Sequence, residues 1–392
     1  MNRNLFPELF PTDSPAVVET YNSAFGDAIA THLAVPGVTG EELATMSDTE
    51  FVEVIKSSER QPLNPITIAR ETLGLEEGTP VIEIMAGFKK AYQDLIAEYE
   101  DNGVDGRSAL LNASNLIGHT EAYITGYSRD LGRLTNKMVL LDASYKMPTR
   151  WLDKIWVPQE DAHDRLWSLM MGGLSDDDME VFYKDHARHM QIGVHLPVTS
   201  ILPTQTYLMQ QEGSTVPSYG NTAALYGPVL RKPALRIRED EARHRREYQA
   251  VTKKLMEVDP DAVVVAIKNE FDNFAMPGKD GIRNYNSKQF DALINGILDP
   301  VSILEVQIPM INQLIEKAVV KTKDAKAAQG ALLDEKGRYS LDEKASRELD
   351  LASRRERAIN KATKKGSLIP AIVGVTVLTD KRSGELTFPM SK

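Results

Sequence analysis

A lone Glu followed by a Glu-x-x-His occurs twice in this chain: Glu121 then Glu160-Asp161-Ala162-His163, and Glu212 then Glu241-Ala242-Arg243-His244. On a helix, residues three apart are neighbours, so each Glu-x-x-His aims a carboxylate and an imidazole the same way. A helical bundle that holds two metal ions on bridging carboxylates uses this set: one Glu from each of two helices and Glu-x-x-His from each of the other two. Carboxylate and imidazole donors without thiolates suit non-haem iron or manganese. The pattern is therefore read as a site for two iron ions per chain, with manganese as a possible substitute. Its ligands are Glu121, Glu160, His163, Glu212, Glu241 and His244.

That chemistry needs four helices that turn these residues inward. Helical spacing puts Glu160 and His163 on one face with Trp156, Trp167 and Met170, and Glu241 and His244 with Ile237, Tyr248, Val251 and Leu255. Glu121 falls between Leu110, Ile117, Ile124 and Leu131; Glu212 falls among Ile201, Leu208, Thr215 and Tyr219. A buried carboxylate must be neutralised or paired. No Lys or Arg lies on these four seams, so the compensating charge is read as metal. One buried Glu–His pair would be explained by mutual hydrogen bonding; four seams in this order favour the metal site.

The rest of the chain is read as scaffold. Its 392 residues are 42% hydrophobic and 26% charged, the balance of a globular protein with a sizeable core. The net charge of −10 argues against broad nucleic-acid binding. The absence of cysteine excludes disulfides and a thiolate nucleophile. No leader pattern is visible at the N-terminus, which gives a cytoplasmic expectation. The longest apolar run, 368–378, is too short to insert into a membrane. Pro7, Pro11 and Pro15 make 1–20 an extended arm, and short helices follow to about 75. The expected division is an arm with short helices over 1–80, a helical bundle over 81–275, and C-terminal helices with a β-hairpin over 276–392, all in one compact domain. The hairpin is read from Val373, Val375 and Val377, a turn at 380–384, then Leu386 and Phe388.

Three stretches carry a family resemblance. Trp156-Val157-Pro158-Gln159-Glu160-Asp161-Ala162-His163, Gln211-Glu212-Gly213-Ser214-Thr215 with Tyr219-Gly220-Asn221-Thr222-Ala223, and Asp240-Glu241-Ala242-Arg243-His244 with Tyr248 and Asp259-Pro260-Asp261 resemble segments of the soluble acyl-acyl-carrier-protein desaturases. The resemblance runs from about residue 80 to the C-terminus. It implies an all-α, ferritin-like four-helix bundle core with additional helices and a small C-terminal β-hairpin. It also implies a di-iron, oxygen-dependent enzyme that puts a double bond into an acyl chain on acyl carrier protein. Electrons would come from a ferredoxin-type donor, and the chain would act as a homodimer. Glu160 and Glu241 would bridge the irons. Thr215 would lie beside the oxygen site, Asp240 would bond a ligand histidine, and Trp156 would pack near the cluster.

The chain also departs from that family. No Trp precedes Trp151, so the family's N-terminal Trp on the electron route has no counterpart. Positions expected to line the acyl tunnel carry Asp130 and Arg133 beside Leu134, and Thr204 and Gln205 precede Glu212. These polar residues keep open a related hydroxylase or N-oxygenase acting on a more polar substrate. A reading of another class is a non-catalytic iron-binding bundle. His186 and His189 sit among charged residues and read as a surface helix, and Tyr123, Tyr127 and Tyr248 as core tyrosines. Arg236, Arg243, Arg246, Lys253 and Lys254 lie opposite Glu241 on their helix. They read as a solvated face, or as a docking face for an acidic carrier protein.

Overall fold

The computed structural model describes residues 14–101, 146–172, 200–274 and 300–334, parts of 117–121 and 180–187, and a strand pair near the C-terminus. The fold is all-α, a ferritin-like bundle with additional helices. Its described helices are α1 (Pro15–Leu33), α2 (Gly40–Thr45), α3 (Asp48–Ser57), α4 (Pro65–Leu73), α5 (Val81–Asp101), α6 (Lys146–Trp151), α7 (Val157–Met171), α8 (Ile201–Leu225), α9 (Gly227–Val258), α10 (Pro260–Asn273), α11 (Pro300–Ile315) and α12 (Lys323–Leu333). Leu378–Thr379 (β1) pairs antiparallel with Leu386–Thr387 (β2), while Val373, Val375, Val377, the turn at 380–384 and Phe388 of the expected hairpin lie outside the described residues.

Local chemistry explains where these helices begin. The expected extended arm ends earlier than residue 20, because Pro15 occupies the first turn of α1 while the Ser14 hydroxyl accepts from Val17 N. Proline belongs there, since its missing N–H would be unsatisfied anyway. Thr39 with Glu42 and Ser47 with Glu50 form capping boxes that start α2 and α3. Asp259 accepts from Ala262 N and Pro260 follows it, which opens α10. Pro217 lies inside α8 rather than at either end.

α6 runs into α7 through a π-helical turn, Leu152–Trp156. Such a turn bonds i to i+5 and holds one residue more than an α-turn. Trp151 and Trp156, five apart, are thereby both fully buried.

The buried residues divide into two apolar clusters, and the helices pass from one to the other. On α7, Ala162, Leu166, Trp167 and Met170 belong to one cluster, while Ile155 and Trp156 just before it belong to the other. On α8, Leu208 and Met209 lie in one and Tyr219 and Ala223 in the other. α9 runs the opposite way, from Ala234 and Ile237 to Tyr248 and Val251. Between the clusters, on all three helices, sit the acidic and imidazole residues of the repeated pattern. α1 packs along α9 and α6, and its buried face includes Tyr21, Phe25, Ile29 and His32.

Candidate metal centre

The structure brings the six pattern residues into one buried polar layer. Glu160, Glu212, Glu241 and His244 offer donor atoms that all lie within 4.8 Å of one another, as do Glu121, Glu160 and His163. Each of the six is at most 1% exposed. Glu160 faces both histidines, with Oε1 3.2 Å from His244 Nδ1 and Oε2 3.7 Å from His163 Nδ1. Glu241 Oε1 is 3.3 Å from His163 Nδ1, and Glu212 Oε2 is 3.5 Å from His244 Nδ1. The two imidazole centroids stand 6.2 Å apart.

The inward atoms are distinctive. His163 Nδ1, His244 Nδ1, Glu160 Oε1, Glu212 Oε2 and Glu241 Oε1 are buried without a hydrogen-bond partner. Orphaned buried polar atoms are rare and costly in native proteins. Two donors each ~2.1 Å from one ion stand roughly 3–3.5 Å apart, which is the spacing seen here. The residues present therefore fit a two-metal site with carboxylate and imidazole donors.

Four outward atoms of these residues, by contrast, have hydrogen-bond partners. His163 Nε2–H donates to Asp240 Oδ2 at 3.2 Å. Asp240 also pairs with Arg243. His244 Nε2–H donates to Gln159 Oε1 at 2.6 Å. Trp156 Nε1–H donates to Glu212 Oε1 at 2.9 Å, and the Thr215 hydroxyl donates to Glu241 Oε2 at 2.8 Å. Each partner thus holds the far side of a group whose near side faces the site. This is how surrounding hydrogen bonds orient metal ligands. Trp156, Thr215 and Asp240, singled out from sequence, all touch the cluster in this way. Gln159 was missed, although it directly precedes Glu160.

Protons settle the charge when no metal does. Burial pushes the Glu121 carboxyl well above its usual range, and burial with the Glu241 charge does the same for Glu212. Burial opposes charge on both imidazoles, but the facing carboxylates win. Glu160 and Glu241 hold His163 well above its ordinary value, and Glu212 and Glu160 raise His244 to about 10. Burial would raise Glu160 too, yet the two imidazoles bring it down to about 2.

The other sequence-stretch residues fall as follows. Gln205 is buried, but its amide donates to Tyr248 O at 2.8 Å and to Thr252 Oγ1 at 3.1 Å, while Thr204 bonds back to Ser200 O. The Gln205 NH₂ and the Thr204 hydroxyl are thus engaged within the bundle, while Gln205 Oε1 is buried without a hydrogen-bond partner. Tyr248 is fully buried and accepts from Trp151 Nε1 at 3.0 Å. Arg236, Arg246, Lys253 and Lys254 are exposed on α9, whereas Arg243 is half-buried and committed to Asp240. Asp130, Arg133, Leu134, Tyr123, Tyr127, His186 and His189 lie outside the described residues. Among the described residues, no helix is long and apolar enough to cross a membrane.

Comparison with known proteins agrees with this geometry. Residues 113–360, more than half of the chain, match the model of a family described as fatty acid desaturase. Two rice proteins, acyl-(acyl-carrier-protein) desaturase 6, chloroplastic, from Oryza sativa subspecies japonica and indica, are each 28% identical over 172 residues. That stretch covers 42% of this chain and 40% of each rice protein.

Proposed function

The chain belongs to the fatty acid desaturase family, and on that premise we propose that it introduces a double bond into an acyl chain carried on acyl carrier protein. The observation that carries this reading is the pair of overlapping donor groups that share Glu160. Glu121, Glu160 and His163 would hold one iron, and Glu212, Glu241 and His244 the other, with Glu160 and Glu241 bridging. When bound, the irons supply the reduction of O₂ to water, coupled to removal of two hydrogens from the acyl chain and fed by two electrons from a ferredoxin-type donor.

The chain's own residues do the rest. Asp240 and Gln159 hold Nδ1 of each imidazole toward the site by accepting a hydrogen bond from its Nε2–H. Trp156 and Thr215 pin one oxygen each of Glu212 and Glu241, which leaves the other oxygen free to face inward. The apolar clusters on either side keep water from the layer. Exposed Arg236, Arg246, Lys253 and Lys254 offer positive charge to an acidic carrier protein. The chain would work as a homodimer. Gln205, one of the residues that kept a polar substrate open, spends its NH₂ within the bundle, and its buried Oε1, without a hydrogen-bond partner, keeps that alternative as the second reading.

The test supplies saturated acyl-carrier proteins of graded chain length with iron-loaded protein, a ferredoxin, its reductase and NADPH. An alkene from any member supports the proposal. Oxygen consumption that yields only hydroxylated or uncoupled products sinks it. In the same system, Arg246→Glu with Lys253→Glu should weaken carrier binding and flatten its salt dependence.

A further inference from the structure

His244 is the head of a buried hydrogen-bond chain that leaves the four-helix bundle. Its Nε2–H donates to Gln159 Oε1 at 2.6 Å, Gln159 Nε2–H donates to His32 Nε2 at 3.1 Å, and His32 Nδ1–H donates to Glu247 Oε1 at 2.8 Å. His244 and His32 are fully buried, Gln159 nearly so, and Glu247 is 6% exposed. His32 sits on α1, far from the repeated pattern in sequence, with its ring edge-on to Trp151 at 5.3 Å and stacked on His244 at 6.5 Å. The carbonyls of Thr31 and His32 both accept from Arg60 Nη1, which ties this end of α1 down.

We infer that Glu247 and His32, acting through Gln159, set which nitrogen of His244 faces the metal centre, and are positioning residues of that centre. The argument is one of polarity. Glu247 accepts a hydrogen bond from His32 Nδ1–H, so His32 Nε2 is left as an acceptor. Gln159 must then turn its NH₂ to His32 and its oxygen to His244. His244 meets that oxygen with Nε2–H, which leaves Nδ1 for the metal. Reversed, the same chain would present the Gln159 NH₂ to His244 Nε2, put the proton on Nδ1, and block the ligand atom. The carboxylate at the far end therefore fixes the direction of every bond in the row. The two histidines are also supported differently: a carboxylate backs His163, whereas a neutral amide backs His244.

This inference rests on the two-metal reading, and zinc, which is diamagnetic and needs no reductant, tests both. The full chain is loaded with zinc alone. Affinity is read by competition with a chelator, and the imidazole protons by ¹H–¹⁵N NMR. In the wild type, two zinc ions should bind, with a proton on Nε2 of His244 and on Nδ1 of His32. His32→Leu and Glu247→Leu should each weaken one of the two zinc ions by about tenfold or more and leave the other unchanged. Glu247→Gln, which keeps an acceptor oxygen, should recover most of that loss. A wild type that binds fewer than two zinc ions defeats the metal-centre reading, and the relay with it. Two ions in the wild type with unchanged affinity in both leucine variants defeats the relay alone. So does a wild-type spectrum with the His32 proton on Nε2, which needs no variant to fold.

Discussion

Loading the site with divalent metal must displace protons, and the buried layer sets how many. His163 and His244 both hold a proton at neutral pH, His244 with a value of about 10. Glu121 and Glu212 are held protonated by burial first of all, while Glu160, at about 2, is ionised. Four protons therefore stand where two dications would bring four positive charges. Each Nδ1 and each carboxylate must give up its proton to ligate, so filling both positions should release about four protons per chain. The sign follows: acid favours the metal-free form, and apparent affinity rises with pH. Competition from His244 should persist through pH 9. The measurement is a pH-stat titration of zinc into metal-free protein in weak buffer, repeated between pH 6 and 8. Release of fewer than roughly two protons, or affinity that does not change with pH, would refute the claim that these groups are protonated in the metal-free layer.

Three further outcomes are expected. His163→Ala and Glu241→Ala should each lower metal content from two ions toward one, read by elemental analysis after iron reconstitution, since each removes an inward donor. Thr215→Val leaves Glu241 Oε2 buried without its donor and should cost the metal-free protein about 1–3 kcal/mol in urea unfolding, with Thr215→Ser restoring it. The metal-free protein should lose stability as pH rises above 5. Glu121 and Glu212 keep protons that the unfolded chain sheds above the ordinary carboxylate range, and the raised histidines stabilise the fold only while protonated. Melting temperatures that rise steadily from pH 5 to 8 without metal would contradict this.

The site helices were legible because their carboxylates stand in apolar seams of helical period, and the seams of Glu160 and Glu241 are buried as read: Trp156, Trp167, Met170, Ile237, Tyr248 and Leu255 are all at most 1% exposed, while Leu110, Ile124 and Leu131 of the Glu121 seam lie outside the described residues. Proline was the weaker guide. Pro15 starts a helix and Pro217 lies within one, because position in the turn, not the residue alone, decides its effect. Arg243 looked like one of a basic row, but its neighbour Asp240 draws it inward. His32 escaped notice because no motif marks it. The available signal was its place one residue before Leu33 on the stripe of Tyr21, Phe25 and Ile29, where a polar side chain must find a buried partner.

The π-turn at Leu152–Trp156 has a consequence for how this chain lines up with its relatives. Five residues along a regular α-helix rotate a side chain by ~140° past a full turn, so Trp151 and Trp156 could not both point into the bundle. The wider turn absorbs that excess. Trp151 reaches Tyr248 while Trp156 reaches Glu212. Counted in frame from Glu160, an uninterrupted helix would put Leu152 where Trp151 stands. A comparison of tryptophans upstream of the site therefore needs a one-residue gap here. Deleting exposed Lys154 makes that gap physical: the Trp156 bond should survive, since α7 is anchored by the centre. With the extra residue gone the turn should close to a regular α-turn in which Trp151 stands four residues before Trp156, so the Trp151–Tyr248 bond should survive as well.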